Sequence, residues 1–287
     1  MKNPRHSIHT VPSPSPQGLV RTAAGYQETV LRLMRQLMAG HGHSDTVHAI
    51  RTHCRRLQAL LELCGDGPRA AVMAQSVRRL SKLRALQVFR QYLITIDAPQ
   101  SDIDAVDEWI IKREQKLSRT QAYYKIEQAV WKQALPTIAF PNRSLSARFE
   151  TLCHEHERRL ERLIQAAADE PRRKRLHALR LALKTIRYQT EWLPGRPEHK
   201  QALLKRIKKV QTLLGRYEEL ADFKRWRKGL TVAAQGKIRK DWKRARKRAR
   251  AVPDNLSWLI DALASGHLWI GMDERRPSPG LEEIRIV

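Results

Sequence analysis

At 287 residues the chain can bury a sizeable core as one large domain or two smaller ones, and no run approaches the ~18 consecutive apolar residues of a membrane span. Only 6% of residues are aromatic, while Leu, Ala, Arg, Lys and Gln dominate, which argues for an all-α protein and against a sheet-built one. Fifty-five Lys+Arg against 29 Asp+Glu leave a formal charge of +26, and self-repulsion on that scale calls for a polyanion: nucleic acid, inorganic polyphosphate or, third, an anionic membrane surface.

Residues 1–17 end in Val-Pro-Ser-Pro-Ser-Pro-Gln and are expected to be disordered. They carry cations but no apolar core of a secretory signal, which predicts a cytoplasmic protein. A helical domain is then expected over 18–265, in two halves of about 18–140 and 141–265. Tyr26 to Met38 has Val30, Leu31, Met34 and Leu37 at helical spacing. After a Gly/His loop, Ser44 or Asp45 can cap a helix from Thr46 to Cys64 that Gly65-Asp-Gly-Pro68 stops. Single helices are predicted over 70–96 and 103–135, and Pro136 to Asn142 breaks the chain near its midpoint. The second half reads as helices over 145–168, a stretch ending at Leu193, 199–230, a very basic 235–251 and 256–263, with a loose tail over 266–287. Cys54, Cys64 and Cys153 show no paired spacing and read as reduced, buried thiols.

Two stretches organise the whole. His177-Ala-Leu-Arg180-Leu-Ala-Leu-Lys184-Thr-Ile-Arg187 has an earlier copy in His48-Ala-Ile-Arg51-Thr-His-Cys-Arg55-Arg56. At about 100° per residue His177, Arg180, Lys184 and Arg187 share a strip roughly 80° wide, beside an apolar face of Leu179, Leu183 and Ile186. The copies lie 177 − 48 = 129 residues apart. The stretch Leu80-Ser-Lys82-Leu-Arg84-Ala-Leu86-Gln-Val-Phe89 returns as Leu214-Gly-Arg216-Tyr-Glu218-Glu-Leu220-Ala-Asp-Phe223, offset by 80 + 134 = 214. Two motifs repeating in one order indicate duplicated helical bundles, which normally pack about a pseudo-twofold axis.

The repeated His-x-x-Arg-x-x-x-(Arg/Lys) pattern, each copy followed by a Leu-x-(Lys/Arg)-x-x-x-Leu helix, resembles the CHAD family, the conserved histidine α-helical domain; the resemblance covers roughly Gly18 to Leu263. It implies two antiparallel helical bundles with pseudo-twofold symmetry, a basic central groove or pore that binds inorganic polyphosphate, and association with polyphosphate granules in some members. Many relatives carry a fused triphosphate-tunnel domain signed by Glu-x-Glu-x-Lys on a strand; Glu155-His-Glu157-Arg-Arg159 echoes it only superficially, on a predicted helix. The copies differ from the family pattern at Gln58, which stands where the second copy has Arg187, at Ala85, and at Glu218-Glu219.

The binding residues this reading selects are His48, Arg51, Arg55 and Arg56 from the first copy and His177, Arg180, Lys184 and Arg187 from the second. Lys205, Lys208, Lys209 and Arg216 form a strip on the helix after it, and Lys82, the repeat-equivalent of Arg216, and Arg78 complete the set. Arg offers planar bidentate donors to phosphate oxygens and Lys a movable point charge, while each histidine can donate to phosphate and gain charge beside an anion.

Phosphate or sulfate ions would mimic the ligand, and nucleic acid is the alternative polyanion, although helix-turn-helix, RRM and zinc-finger signatures are missing from the sequence. A polyphosphate-processing enzyme is the third reading; it would need clustered carboxylates to hold Mg²⁺, so no catalytic residue is assigned. Neither Cys153-His-Glu-His156 nor His41-Gly-His43 is completed to a tetrahedral metal set, and neither a metal nor a cofactor is assigned. The basic run from Lys237 to Arg250 reads first as a solvated face.

Overall fold

A computed structural model describes residues 16–41, 44–132, 145–191 and 197–264, and among these residues every regular element is helical. The predicted disordered N-terminus lies outside them except for Pro16 and Gln17, as does the tail over 266–287.

The first helix, α1 (Pro16–Met38), ends as expected but starts ten residues before Tyr26 and two before the expected domain start, with a proline at the position where a helix needs no N–H donor. It buries Leu19, Ala23, Val30 and Met34 on one stripe. α2 (Ser44–Leu63) carries the first histidine motif. It ends at Gly65, whose φ of +80° suits glycine, and the Gly65 and Asp66 N–H groups close back on Glu62 and Leu61 carbonyls at 3.1 and 2.8 Å. Asp66 then caps α3 (Gly67–Arg79), accepting the Arg69 N–H at 3.1 Å.

The single helix predicted over 70–96 is two, since α4 (Ser81–Thr95) restarts after a break at Leu80. At the break the Val77 carbonyl accepts from Arg51 of α2 at 2.5 Å and from Ser81 Oγ at 2.9 Å, so side chains take over an acceptor that a straight helix keeps for its own ladder. The helix predicted over 103–135 likewise divides into α5 (Gln100–Arg119) and α6 (Ala122–Trp131), with Gln121 in the left-handed region at φ +51° between them.

The rest comprises α7 (Leu145–Asp169), α8 (Arg173–Thr190) with the second histidine motif, and α9 (Pro197–Trp226). A 3-10 turn over Arg227–Gly229 leads to α10 (Val232–Arg250), and a second over Pro253–Asn255 to α11 (Ser257–Ala264). Glu155 to Arg159 are inside α7, a helix and not a strand.

α1 packs on α2 and α6, α2 on α3, and α4 on α5; later in the chain α7 packs on α8, α8 on α9, α9 on α10 and α11 on α7. The two sets join where α2 meets α8 and where α4 meets α9. Phe89 of α4 and Phe223 of α9 stack with centroids 4.6 Å apart, and Tyr92, Trp109 and Trp226 extend that aromatic seam. A buried carboxylate ties α5 to the turn before α10: Asp102 accepts from the Thr231 N–H at 2.8 Å and from its hydroxyl at 2.7 Å. Cys54 and Cys64 are buried and in no disulfide, and burial pushes the Cys54 thiol up to about 12, which makes it unreactive; the Cys153 side chain lies outside the described residues. Among the described residues no helix is long and apolar enough to cross a membrane.

Candidate functional site

The meeting of α2 with α8 decides where the charge goes. Each helix turns its leucine face into the core, including Leu57, Leu60, Leu179 and Leu183, so the strip next to that face falls on the inter-helix seam rather than in open solvent. Arg51 and Arg55 enter the seam from α2, and Arg180, Lys184 and Arg187 from α8. Lys184 is at the centre. Burial, then Arg180, Arg55, Arg51 and Arg187, drive its ammonium from 10.5 down to about 6. Burial lowers Arg51 to about 10 and depresses Arg55 and Arg180 as well. Guanidinium groups do not give up their protons in water, so these shifts measure how crowded and poorly solvated the positive charge is.

α4 contributes a cation that the sequence reading passed over. Arg84 is half-buried, lowered first by desolvation, and acts on both Arg51 and His48. The signal was available: an offset of 134 pairs Arg84 with Glu218, so the repeat marks this position in both halves. His48 is at the exposed edge of the cluster. Burial and the charges of Arg84, Arg51 and Lys184 lower its pKa against a raising contribution from Asp45, so without an anion it is held neutral.

His177 has a different neighbour. Its Nδ1 stands 3.2 Å from Glu218 of α9, which also accepts from Arg173 at 3.1 Å, while Arg173 reaches Asp222 at 2.7 Å. Arg173 and His177 hold the Glu218 carboxyl below the usual carboxylate range despite its burial. Next to it, burial raises Glu219, opposed by Arg216, Arg180, Arg84 and Lys184. The two acids of the departure from the family pattern therefore border the cluster: Glu218 lies beside the second histidine and Arg173, and Glu219 faces Arg216, Arg180, Arg84 and Lys184.

α9 packs against the Arg180 guanidinium. Gly215 is buried, and a Cβ there would lie 3.4 Å from Arg180 Nε and 3.5 Å from its Nη2, ordinary contact distances, so the α9 backbone lies directly beside Arg180. Arg180 Nε is buried without a hydrogen-bond partner.

Arg78, Lys82, Lys205, Lys208, Lys209 and Arg216 lie outside the seam, while Arg56 and Arg187 meet one carboxylate, Glu191, at the end of α8. Arg56 pairs with Glu191 at 3.3 Å, joining α2 to the end of α8, and lies over the Tyr26 ring at 5.4 Å. Arg187 also approaches Glu191, at 4.0 Å, and covers the Tyr188 ring. Arg78 is exposed on α3, and Lys82 lies in a groove between α4 and α5. Lys205, Lys208 and Lys209 are exposed on α9, although the register that sets Leu183 against Gln211 and His177 against Glu218 brings Lys208 level with Arg187. Arg216 covers the Tyr92 ring at 4.8 Å, with Glu219 at 3.9 Å. Among the described residues no three His, Cys, Asp or Glu side chains converge as metal ligands; His156 is buried against Gln189, and His43 lies outside those residues.

The sequence matches the family model of the CHAD domain over residues 26–227. The chain belongs to the CHAD domain family. The matched stretch of this CHAD domain runs from α1 to the end of α9 and takes in both histidine helices, Arg84, Gly215 and Glu218; α10 and α11 follow it. The fold resembles the crystal structure of the CHAD domain from the plant Ricinus communis, with a TM-score of 0.62 over 88% of this chain and 90% of that one at 17% sequence identity. Comparison with curated proteins gives no match.

Proposed function

We propose that this CHAD domain binds inorganic polyphosphate without processing it, in a basic groove between two duplicated helical bundles. The observation that carries the reading is the Lys184 environment: one ammonium and four guanidinium groups gathered on the α2–α8 seam, at a net cost in solvation and repulsion. Such a cluster is unfavourable for folding and becomes favourable only opposite concentrated negative charge. The duplication is supported by the contacts of α2 with α8 and of α4 with α9, which set each repeated helix against its own counterpart.

Polyphosphate suits the chemistry, because it offers closely spaced anionic oxygens and no bases to read. His48 and His177 would donate to phosphate at the two ends of the seam, Arg55, Arg84, Arg180 and Lys184 would neutralise the chain, and Arg51 would do so while bracing the α3–α4 break. The acids near the cluster are already engaged with cations, Glu218 with Arg173 and His177, so the site favours holding phosphate over recruiting Mg²⁺ to cleave it. Residence at polyphosphate granules would follow from this affinity.

A competition titration separates this reading from general polyanion binding. At moderate salt, long-chain polyphosphate should displace a labelled DNA duplex of equal total charge at lower concentration. Duplex DNA retaining the protein against equal charge of polyphosphate would reject the assignment in favour of nucleic acid.

A further inference from the structure

Away from the cationic seam, a groove of about 450 Å³ opens between α4, α5 and the end of α9. Its walls combine two indoles, Trp109 and Trp226, with Lys82, Lys112, Arg113 and Lys116. Both indoles are anchored by the core aromatics, since Phe89 stacks on Trp109 at 6.5 Å, and Phe89 and Phe223 make tilted contacts with Trp226 at 5.7 and 6.5 Å. They are therefore rigid surfaces rather than mobile side chains. Arg113 is held by the Arg79 carbonyl at 3.2 Å, and its Nε is buried without a partner. Among the described residues Lys112 makes an exposed, screened pair with Glu108 at 3.1 Å.

A second groove, of about 280 Å³ between α9 and α10, sharpens the point. Arg216, the repeat counterpart of Lys82, lines it with Arg244 and Arg248, but Leu213, Leu220 and Ala245 take the apolar positions and Asp241 adds a negative charge. That groove offers cations without an aromatic wall. The α4–α5 groove offers both, which is the combination that a planar base joined to phosphates requires.

We infer that the α4–α5 groove is a binding site for a nucleoside polyphosphate, with the base against Trp109 and Trp226 and the phosphates on Lys82, Lys112, Arg113 and Lys116. The volume is in the range of sites for ligands of that size, about 300–1,000 Å³. The reading does not depend on polyphosphate occupying the seam, because the two sites share none of the residues assigned to the seam.

The test uses the full chain carrying Arg180→Ala, Lys184→Ala and Arg187→Ala, which takes binding in the seam out of the comparison, and ATP, with inorganic tripolyphosphate as the matched anion without a base. ATP should quench tryptophan emission and bind on the order of tenfold tighter than tripolyphosphate, the gain that stacking of one base provides. Trp226→Phe, which preserves the aromatic seam, should reduce the quench. Lys112→Ala with Lys116→Ala, both on the exposed side of α5, should weaken ATP severalfold while circular dichroism stays unchanged. Equal affinity for ATP and tripolyphosphate would overturn the proposal, as would a double variant that binds ATP like the parent chain. A single-stranded oligonucleotide that displaces ATP at far lower nucleotide concentration would overturn it in favour of a nucleic-acid strand.

Discussion

At the scale of single residues, Lys184 holds the balance between stability and binding. Its folded-state pKa of about 6 lies below the 10.5 of the free side chain, so between these values the unfolded chain holds a proton that the folded one lacks. Stability of the ligand-free protein should therefore rise as pH increases from about 6 towards 10.5, and the full penalty of a buried charge should apply below 6. An anion in the seam reverses the preference and restores the proton to Lys184, and to His48 at its edge. Polyphosphate affinity should thus increase as pH falls, by about tenfold between pH 8 and 6.5, with net proton uptake measurable by calorimetry in buffers of different ionisation heat. An affinity flat over that interval would mean that Lys184 is charged before the ligand arrives.

One substitution at this position should move stability and binding in opposite directions. Lys184→Met keeps the volume and removes the unfavourable charge, so thermal unfolding should show a stabilisation on the order of 1–4 kcal/mol while polyphosphate binds more weakly. A variant that lost both stability and affinity would make Lys184 a structural residue. The sequence placed Lys184 on the correct strip, because the spacing from His177 fixes the helix face. It did not reveal the depth of burial, which depends on a second helix closing over that strip.

At the scale of elements, most helices could be read from leucine spacing and from Gly or Pro stops, and α2, α7 and α8 end within three residues of the expected positions. The breaks at Leu80 and Gln121 were not readable. Neither site has a glycine or proline, and the first depends on Arg51 arriving from a helix distant in sequence to bond the Val77 carbonyl and the Ser81 hydroxyl, the latter at 2.8 Å. This gives Arg51 a duty that Arg55 lacks. Arg51→Met should cost about 1–3 kcal/mol in chemical denaturation by removing two hydrogen bonds from a charged donor, whereas Arg55→Met should leave stability equal or slightly higher. Indistinguishable losses for the two variants would remove the brace from the account. Arg84 went unselected for a related reason. Repeat matching by charge aligned Lys82 with Arg216, and both lie on the exposed side, whereas the inward position pairs an arginine with a glutamate, Glu218.

At the scale of the molecule, a charge of +26 announces a polyanion but not where it binds, because among the described residues most of the Lys and Arg side chains are exposed. α10 is the clearest case: Lys237, Arg239, Lys240, Lys243, Arg244, Lys247 and Arg248 are exposed, and Trp242 is covered by Lys224 and Arg246 rather than open to a base. What distinguishes the α2–α8 seam is desolvation, which makes each charge there act through a low dielectric instead of salt water. The central claim is that a small buried cluster, not the larger exposed run, carries specific binding. Polyphosphate isotherms at moderate salt for two variants test it: Arg180→Ala with Lys184→Ala and Arg187→Ala, and the exposed Lys243, Arg244, Lys247 and Arg248 all changed to Ala. The seam variant should remain helical and lose most of its affinity, while the α10 variant should keep most of it and show a shallower salt dependence. Retained binding in the seam variant together with its loss in the α10 variant would contradict the account.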